Sequence, residues 1–88
     1  MRLGKVIGTV VSTSKHEGLV GKKLLLIKEL NEHLEPAETT TVAVDSVGAG
    51  AGELVILCKG SAARMISGGE KAPIDAAIVG IVDTAECV

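Results

Sequence analysis

Three stretches of this chain are continuously apolar: "LLLI" at 24–27, "LVIL" at 54–57 and "AAIVGIV" at 76–82. Each is bounded by turn-forming residues and is too short for a helix of ordinary length, so each reads as a strand. A strand sends alternate side chains to opposite faces. Leu24 and Leu26 therefore face one way, and Leu25 and Ile27 the other. An antiparallel sheet with one wet face alternates apolar and polar residues. These strands do not, so the outer face of their sheet also needs cover, and a subunit interface would supply it.

Around these runs the chain divides into five strands. Residues 2–13, "RLGKVIGTVVST", read as a long β-branched strand, with Gly4 and Gly8 marking a bulge or bend inside it. The others are expected at 22–29, near 40–45, at 53–59 and at 74–84, the last bent at Gly80. A turn-rich connection fills 14–21, and an acidic loop broken by Pro36 fills 30–39. Ser61 is placed to cap one or two helical turns over "AARMI". No repeat or low-complexity tract is present. The expected fold is all-β: one domain over 1–88, a small five-stranded antiparallel OB-like β-barrel with one short helix.

Composition narrows the function. The 88 residues include no aromatic side chain, yet 47% are hydrophobic. A chain this short buries only about 60–65% of its unfolded surface, and here no bulky ring fills the core. Association with copies of itself is the simplest remedy. The net charge of -2 leaves no basic footprint for nucleic acid and no patch for an anionic membrane. The longest apolar run falls far short of the roughly 20 residues of a membrane span. No export signal is read in "MRLGKVIG". Cys58 and Cys87 form no CxxC pair and read as free thiols in a reducing cytoplasm.

The glycine-rich stretch Ser46, Val47, Gly48, Ala49, Gly50, Ala51, Gly52 invites a phosphate-binding reading, which fails on two counts. The third glycine of GxGxxG would stand at position 53, which is Glu53, and a strand follows where a helix N-terminus is required. "GLVGKKL" lacks the P-loop spacing. His16, His33, Cys58 and Cys87 have no metal-ligand spacing, so no metal or other cofactor is expected. A trio of Ser46, Asp45 and His16 has nothing in its spacing to recommend it as a hydrolytic triad, and no catalytic residue is assigned. Asp45, Asp75 and Asp83 read as strand-end residues that hydrogen-bond turns or pair with Arg64 across an interface. An OB module that stacks single-stranded bases uses aromatic platforms along a positive groove. This chain has neither, although a binding module for a small ligand or nucleic acid remains the alternative class.

The blocks "GTVVST", "HEGLVGKKLLLIKEL", "VAVDSVGAGAGELVILCKGSAAR" and "PIDAAIVGIVD" resemble, in order, those of the bacterial microcompartment vertex family. These are pentameric shell proteins of carboxysomes and of ethanolamine, propanediol and glycyl-radical-enzyme compartments. The resemblance spans nearly the whole chain, and the wording of the blocks is closer to the propanediol or glycyl-radical type. It implies a barrel that assembles into a cyclic homopentamer at the vertices of a cytoplasmic polyhedral shell, beside hexameric shell proteins. It implies no enzymatic activity. It further implies that residues 46–52 approach the fivefold axis and border a narrow pore, with Gly50 among the positions expected at positive φ. Asp45, Glu53, Ser61, Arg64 and Asp83 are the expected subunit-interface residues.

Overall fold

The computed structural model describes residues 1–67 and 73–87. Its strands are β1 (Arg2–Val10), β2 (Leu24–Leu30), β3 (Pro36–Asp45), β4 (Leu54–Lys59) and β5 (Ala76–Ile81). A 3-10 turn at Glu17–Leu19 precedes β2, and α1 (Ser61–Ser67) separates β4 from β5. The strands close into a barrel in the order β1-β2-β3-β5-β4. Every pairing is antiparallel except β3 with β5, which is parallel. The barrel is therefore mixed, where the sequence led us to expect an antiparallel one. The reason is parity. Antiparallel neighbours alternate in direction, and a closed ring with an odd number of strands cannot alternate all the way round.

Period-two patterning decides which residues fill the interior. Val6, Leu25, Ile27, Ala43, Val55, Leu57, Ala76 and Ile78 form one buried cluster, which Ala49 completes. With no ring to fill the centre, the strands approach closely. A Cβ at Gly4 would collide with Ile27 Cγ2 and lie 3.3 Å from Leu57 Cδ1, so Gly4 is a packing glycine and not the bend considered for it. Val44, Ala63, Ile74 and Ala77 form a second cluster outside the barrel, where α1 packs, with Leu19 and Leu24 against it.

The glycine at position 8 does mark a bulge. Val6 lies opposite Ile27 and Gly8 opposite Leu26, leaving Ile7 unpaired. The extra residue shifts the register of β1, so that Thr9 rather than Val10 stands opposite the buried Leu25, although Thr9 itself is exposed. A similar shift leaves Val79 unpaired beside Gly80, since Ile56 pairs with Gly80 but Leu57 with Ile78.

Three expectations need correction. β1 ends at Val10 because Ser12 enters a turn: its Oγ donates to Ser14 O at 2.9 Å, and Lys15 Nζ donates to Ser12 O at 2.7 Å. β3 begins at Pro36, so much of the expected acidic loop is strand. Asn31 tightens that turn, its Oδ1 accepting the amides of His33 and Glu35 at 2.9 and 3.1 Å. Proline is tolerated as the first residue of a strand, where its missing donor costs nothing. Finally, Ser61 does not cap α1 through its hydroxyl: among the described residues, the Ala63 amide donates instead to Gly60 O at 3.1 Å.

Candidate assembly site

The glycine-rich loop leaves the end of β3 and is organised by a single carboxylate. Asp45 has a side chain only 1% exposed. Its Oδ1 accepts the amides of Val47 and Gly48 at 3.0 and 3.1 Å, and its Oδ2 accepts that of Ala49 at 2.9 Å. Lys23 Nζ lies 3.7 Å from Oδ2 and donates to Ala49 O at 3.1 Å. The loop is thus folded over the mouth of the barrel, with Ala49 buried in the core beneath it.

The rest of the loop is tied to its own ends. Ser46 Oγ donates to Ile78 O at 2.6 Å. The Gly50 amide donates to Glu53 Oε1 at 2.6 Å, and the Glu53 amide returns to Gly50 O at 3.1 Å. Gly52 donates to Val6 O, and Val6 to Glu53 O, which stitches the loop to β1. The amides of residues 47–50 and 52 are therefore all engaged within the chain. A phosphate-cradling loop needs such donors free. This one has aimed them at its own carboxylates and carbonyls.

Gly48 and Gly52 have φ of 82° and 84°, and nothing lies within 4 Å of a Cβ built at either. Within one chain these glycines are required by backbone conformation, not by crowding. Gly50 is not in the left-handed region. It is limited instead by Glu53 Oε1, 3.2 Å from where its Cβ would be. The expectation of positive φ at Gly50 is corrected accordingly. Val47, Gly48, Ala51 and Gly52 are exposed at the loop surface.

The remaining expected interface residues are scattered. Asp45 and Glu53 spend their carboxylates inside their own loop, so Asp45 takes the turn-bonding role rather than a pairing with Arg64. Arg64 is half-buried on α1 and makes no ion pair among the described residues. Ser61 and Asp83 are exposed. Asp75 holds the start of α1 through its carbonyl oxygen, which accepts the Gly60 amide at 2.8 Å.

A polar cluster that sequence reasoning missed closes the other end of the barrel. Glu29 follows Leu25 and Ile27 at period two and is buried with them. Its Oε2 accepts from Lys59 Nζ at 2.7 Å and Thr41 Oγ1 at 2.9 Å, and its Oε1 from Arg2 at 3.1 Å. Burial pushes its pKa up, but the hydrogen bond and charge of Lys59, with Thr41 and Arg2, outweigh that and hold it below the usual carboxylate value. The signal was in the sequence: a glutamate in phase with the buried leucine and isoleucine of its own strand.

Among the described residues, two strand faces outside the barrel are apolar. One lies on β2 and β3, where outward Leu26 stands between Gly8 and Val42, and Val42 is 45% exposed. It continues into a cleft of about 190 Å³ lined by Leu19, Leu24, Val42, Val44, Pro73 and Ile74, with Asp75 and Ala76. The other lies on β1 and β4, where Leu3 pairs with Ile56 and Leu54 is their near neighbour. β3 borders neither β1 nor β4, so the two faces point in different directions.

A closed mixed five-stranded barrel, with both mouths plugged by its own residues and apolar faces outside, defines an OB-like scaffold of a structural type. The chain belongs to the family described as ethanolamine utilisation protein EutN/carboxysome, whose model matches residues 1–83. It is 60% identical over 88 residues to the bacterial microcompartment shell vertex protein GrpN of Rhodospirillum rubrum, covering all of this chain and 99% of that protein. It is 54% identical to the shell vertex protein PduN of Salmonella typhimurium, over 99% of this chain and all of that one. The solved structure of the Rhodospirillum rubrum protein, described as a pentameric microcompartment shell protein, superposes with a TM-score of 0.90 at 59% identity, covering 100% and 99% of the two chains. The Gloeobacter violaceus CcmL structure gives 0.92 at 46% identity, over 99% of this chain and 90% of that one. These relatives are shell proteins, not enzymes, and they favour the shell reading over a small-ligand or nucleic-acid module.

Proposed function

We propose that this protein is a structural shell component: a homopentamer that occupies the vertices of a cytoplasmic bacterial microcompartment and catalyses no reaction. The observation that carries the proposal is the pair of apolar faces on different sides of one closed barrel. Two unlike faces that fit each other make a head-to-tail contact, and such contacts form a ring when the rotation closes. The pentameric description of the Rhodospirillum rubrum relative supports five as the number. Residues 46–52 are assigned to the fivefold axis, where small side chains let five copies converge, and Ser61, Arg64 and Asp83 to the subunit contacts. Hexameric shell proteins are the partners at the outer edge of the ring, because flat hexagonal tiles need fivefold positions to close into a polyhedron. Similarity to GrpN and PduN favours a metabolosome over a carboxysome.

Native mass spectrometry tests the assembly. A mass near 45 kDa, five times the 8.9 kDa chain, is expected, and a stable monomer or dimer at all concentrations overturns it. The vertex role is read separately, by electron microscopy of a strain lacking the gene. Elongated or open shells are expected there, and closed shells of normal shape with no substitute vertex protein overturn the role.

A further inference from the structure

The strands of this barrel are not paired along their whole length. β3 runs from Pro36 to Asp45, yet it meets β5 only at Val44 and Asp45. Hydrogen bonding alternates along such a strand, one residue bonding to one neighbour and the next residue to the other. The Asp45 amide donates to Lys23 O at 2.9 Å, so Ala43 and Thr41, in phase with it, bond to β2. Val44, Val42 and Thr40 send their amides and carbonyls the opposite way. Val44 finds β5 there, but Val42 and Thr40 find no strand among the described residues. We propose that this open edge of β3 is completed by residues 83–87 of a neighbouring copy, added as a further strand.

An exposed edge is a template for another chain, and proteins that keep one free blunt it with lysine, proline or a bulge. From Thr39 to Val42 every residue is β-branched, with no lysine or proline, and the register with β2 is regular from Thr40 onward. Residues 83–87, in turn, are exposed throughout and make no hydrogen bond or ion pair with the rest of the described chain. They can run along residues 38–42 one for one at the usual strand rise. Their point of departure also fits. The Val82 amide donates to Leu54 O at 2.8 Å, which anchors the start of the segment beside the face on β1 and β4. The inference rests on the head-to-tail ring proposed above, which sets that face against the neighbour's face on β2 and β3, where the open edge lies. Charge agrees with the pairing. Lys28 stands opposite Thr40, its Nζ 3.4 Å from both Thr40 Oγ1 and Glu38 O, and forms no ion pair among the described residues. The incoming segment carries Asp83 and Glu86. Strand addition draws its affinity from main-chain hydrogen bonds and needs no deep pocket.

Amide hydrogen exchange followed by NMR on the assembled protein tests the pairing, with native mass measured on the same sample. In the ring, the outward amides of Thr40 and Val42 should be protected like the inward ones of Thr41 and Ala43. Amides within residues 84–87 should slow with them. Ala85→Pro with Glu86→Pro removes donors from the segment without removing any hydrogen bond of the single chain. In that variant Thr40 and Val42 should exchange about tenfold faster or more, with Thr41 and Ala43 unchanged. A sample with the mass of the ring whose Thr40, Val42 and 84–87 amides all exchange freely overturns the strand addition and leaves the ring standing. Protection that survives the two prolines also overturns it, because something other than residues 83–87 would then cover the edge. A wild type that stays monomeric overturns the ring and this pairing together.

Discussion

Glu29 decides more about this barrel than its single charge suggests. Glu29→Gln keeps the shape and loses the charge that Lys59 and Arg2 surround, and a hydrogen bond to a charged partner contributes about 1.5–3 kcal/mol. Lys59 at 2.7 Å matters more than Arg2, whose side chain is 59% exposed and screened by water. The glutamine variant should therefore melt several degrees below the wild type at neutral pH and equal protein concentration. Because the folded-state pKa of Glu29 is lowered from 4.5, its charge stabilises the fold above that value and ceases to do so as pH falls through the folded value. The difference in melting temperature between wild type and variant should accordingly shrink as the pH drops below 4.5, and a constant difference would show that the carboxylate is not what matters. Gly4 constrains the core in the opposite way. Gly4→Ala forces a methyl against Ile27, which is fully buried, and overpacking of this kind costs about 1–3 kcal/mol, read as an earlier midpoint in urea.

At the scale of an element, the 45–53 loop is a turn built around one acid. Asp45→Ala leaves three amides without their acceptor and the Lys23 ammonium without its counter-charge, so it should disorder the loop while the strands persist. Amide exchange at residues 47–49 should rise at least tenfold in that variant, with the interior amides of β2 still protected. The glycines are not equivalent. Gly48→Ala places a Cβ at a φ of 82°, a conformation that costs roughly 1 kcal/mol or more, whereas Gly50→Ala meets only the movable carboxylate of Glu53. Gly48→Ala should thus be the more destabilising of the two in thermal melts. The reverse order would mean that crowding by neighbouring copies, not backbone conformation, governs the loop.

For the whole molecule, the proposed ring rests on two unlike faces, and that can be tested without knowing the contact in detail. Val42→Glu spoils the face on β2 and β3, and Ile56→Glu the face on β1 and β4; both side chains point out of the barrel. A charge buried without a partner is strongly unfavourable, so each variant alone should be monomeric with an unchanged circular dichroism spectrum. Mixed together, each supplies the face the other lacks. The mixture should form a heterodimer near 18 kDa, twice the 8.9 kDa chain, that cannot close. A mixture that stays monomeric would argue that one face contacts its own copy and that the ring is built differently.

Period-two patterning and turn residues were enough to locate all five strands and the short helix, because these depend on neighbours in the chain, whereas a bulge or bend was marked equally at Gly4 and Gly8 and only Gly8 carries one. The lack of alternation in "LLLI" and "LVIL" also announced apolar outer faces, since a strand cannot hide both sides inside one barrel. That Glu29 needs Lys59 and Arg2, some thirty residues away on other strands, depends on barrel closure and is written in no local pattern. The same holds for the loop. Its composition announced a turn, but which glycines carry positive φ followed from where Asp45, Val6 and Glu53 tie its backbone down. An odd strand count requires at least one parallel pair in a closed barrel, which the expectation of an antiparallel one passed over, and which pair it is emerged only when β5 closed the ring between β3 and β4. Local sequence sets what each segment can be; distant partners, brought together by closure, set which polar groups are satisfied and by whom.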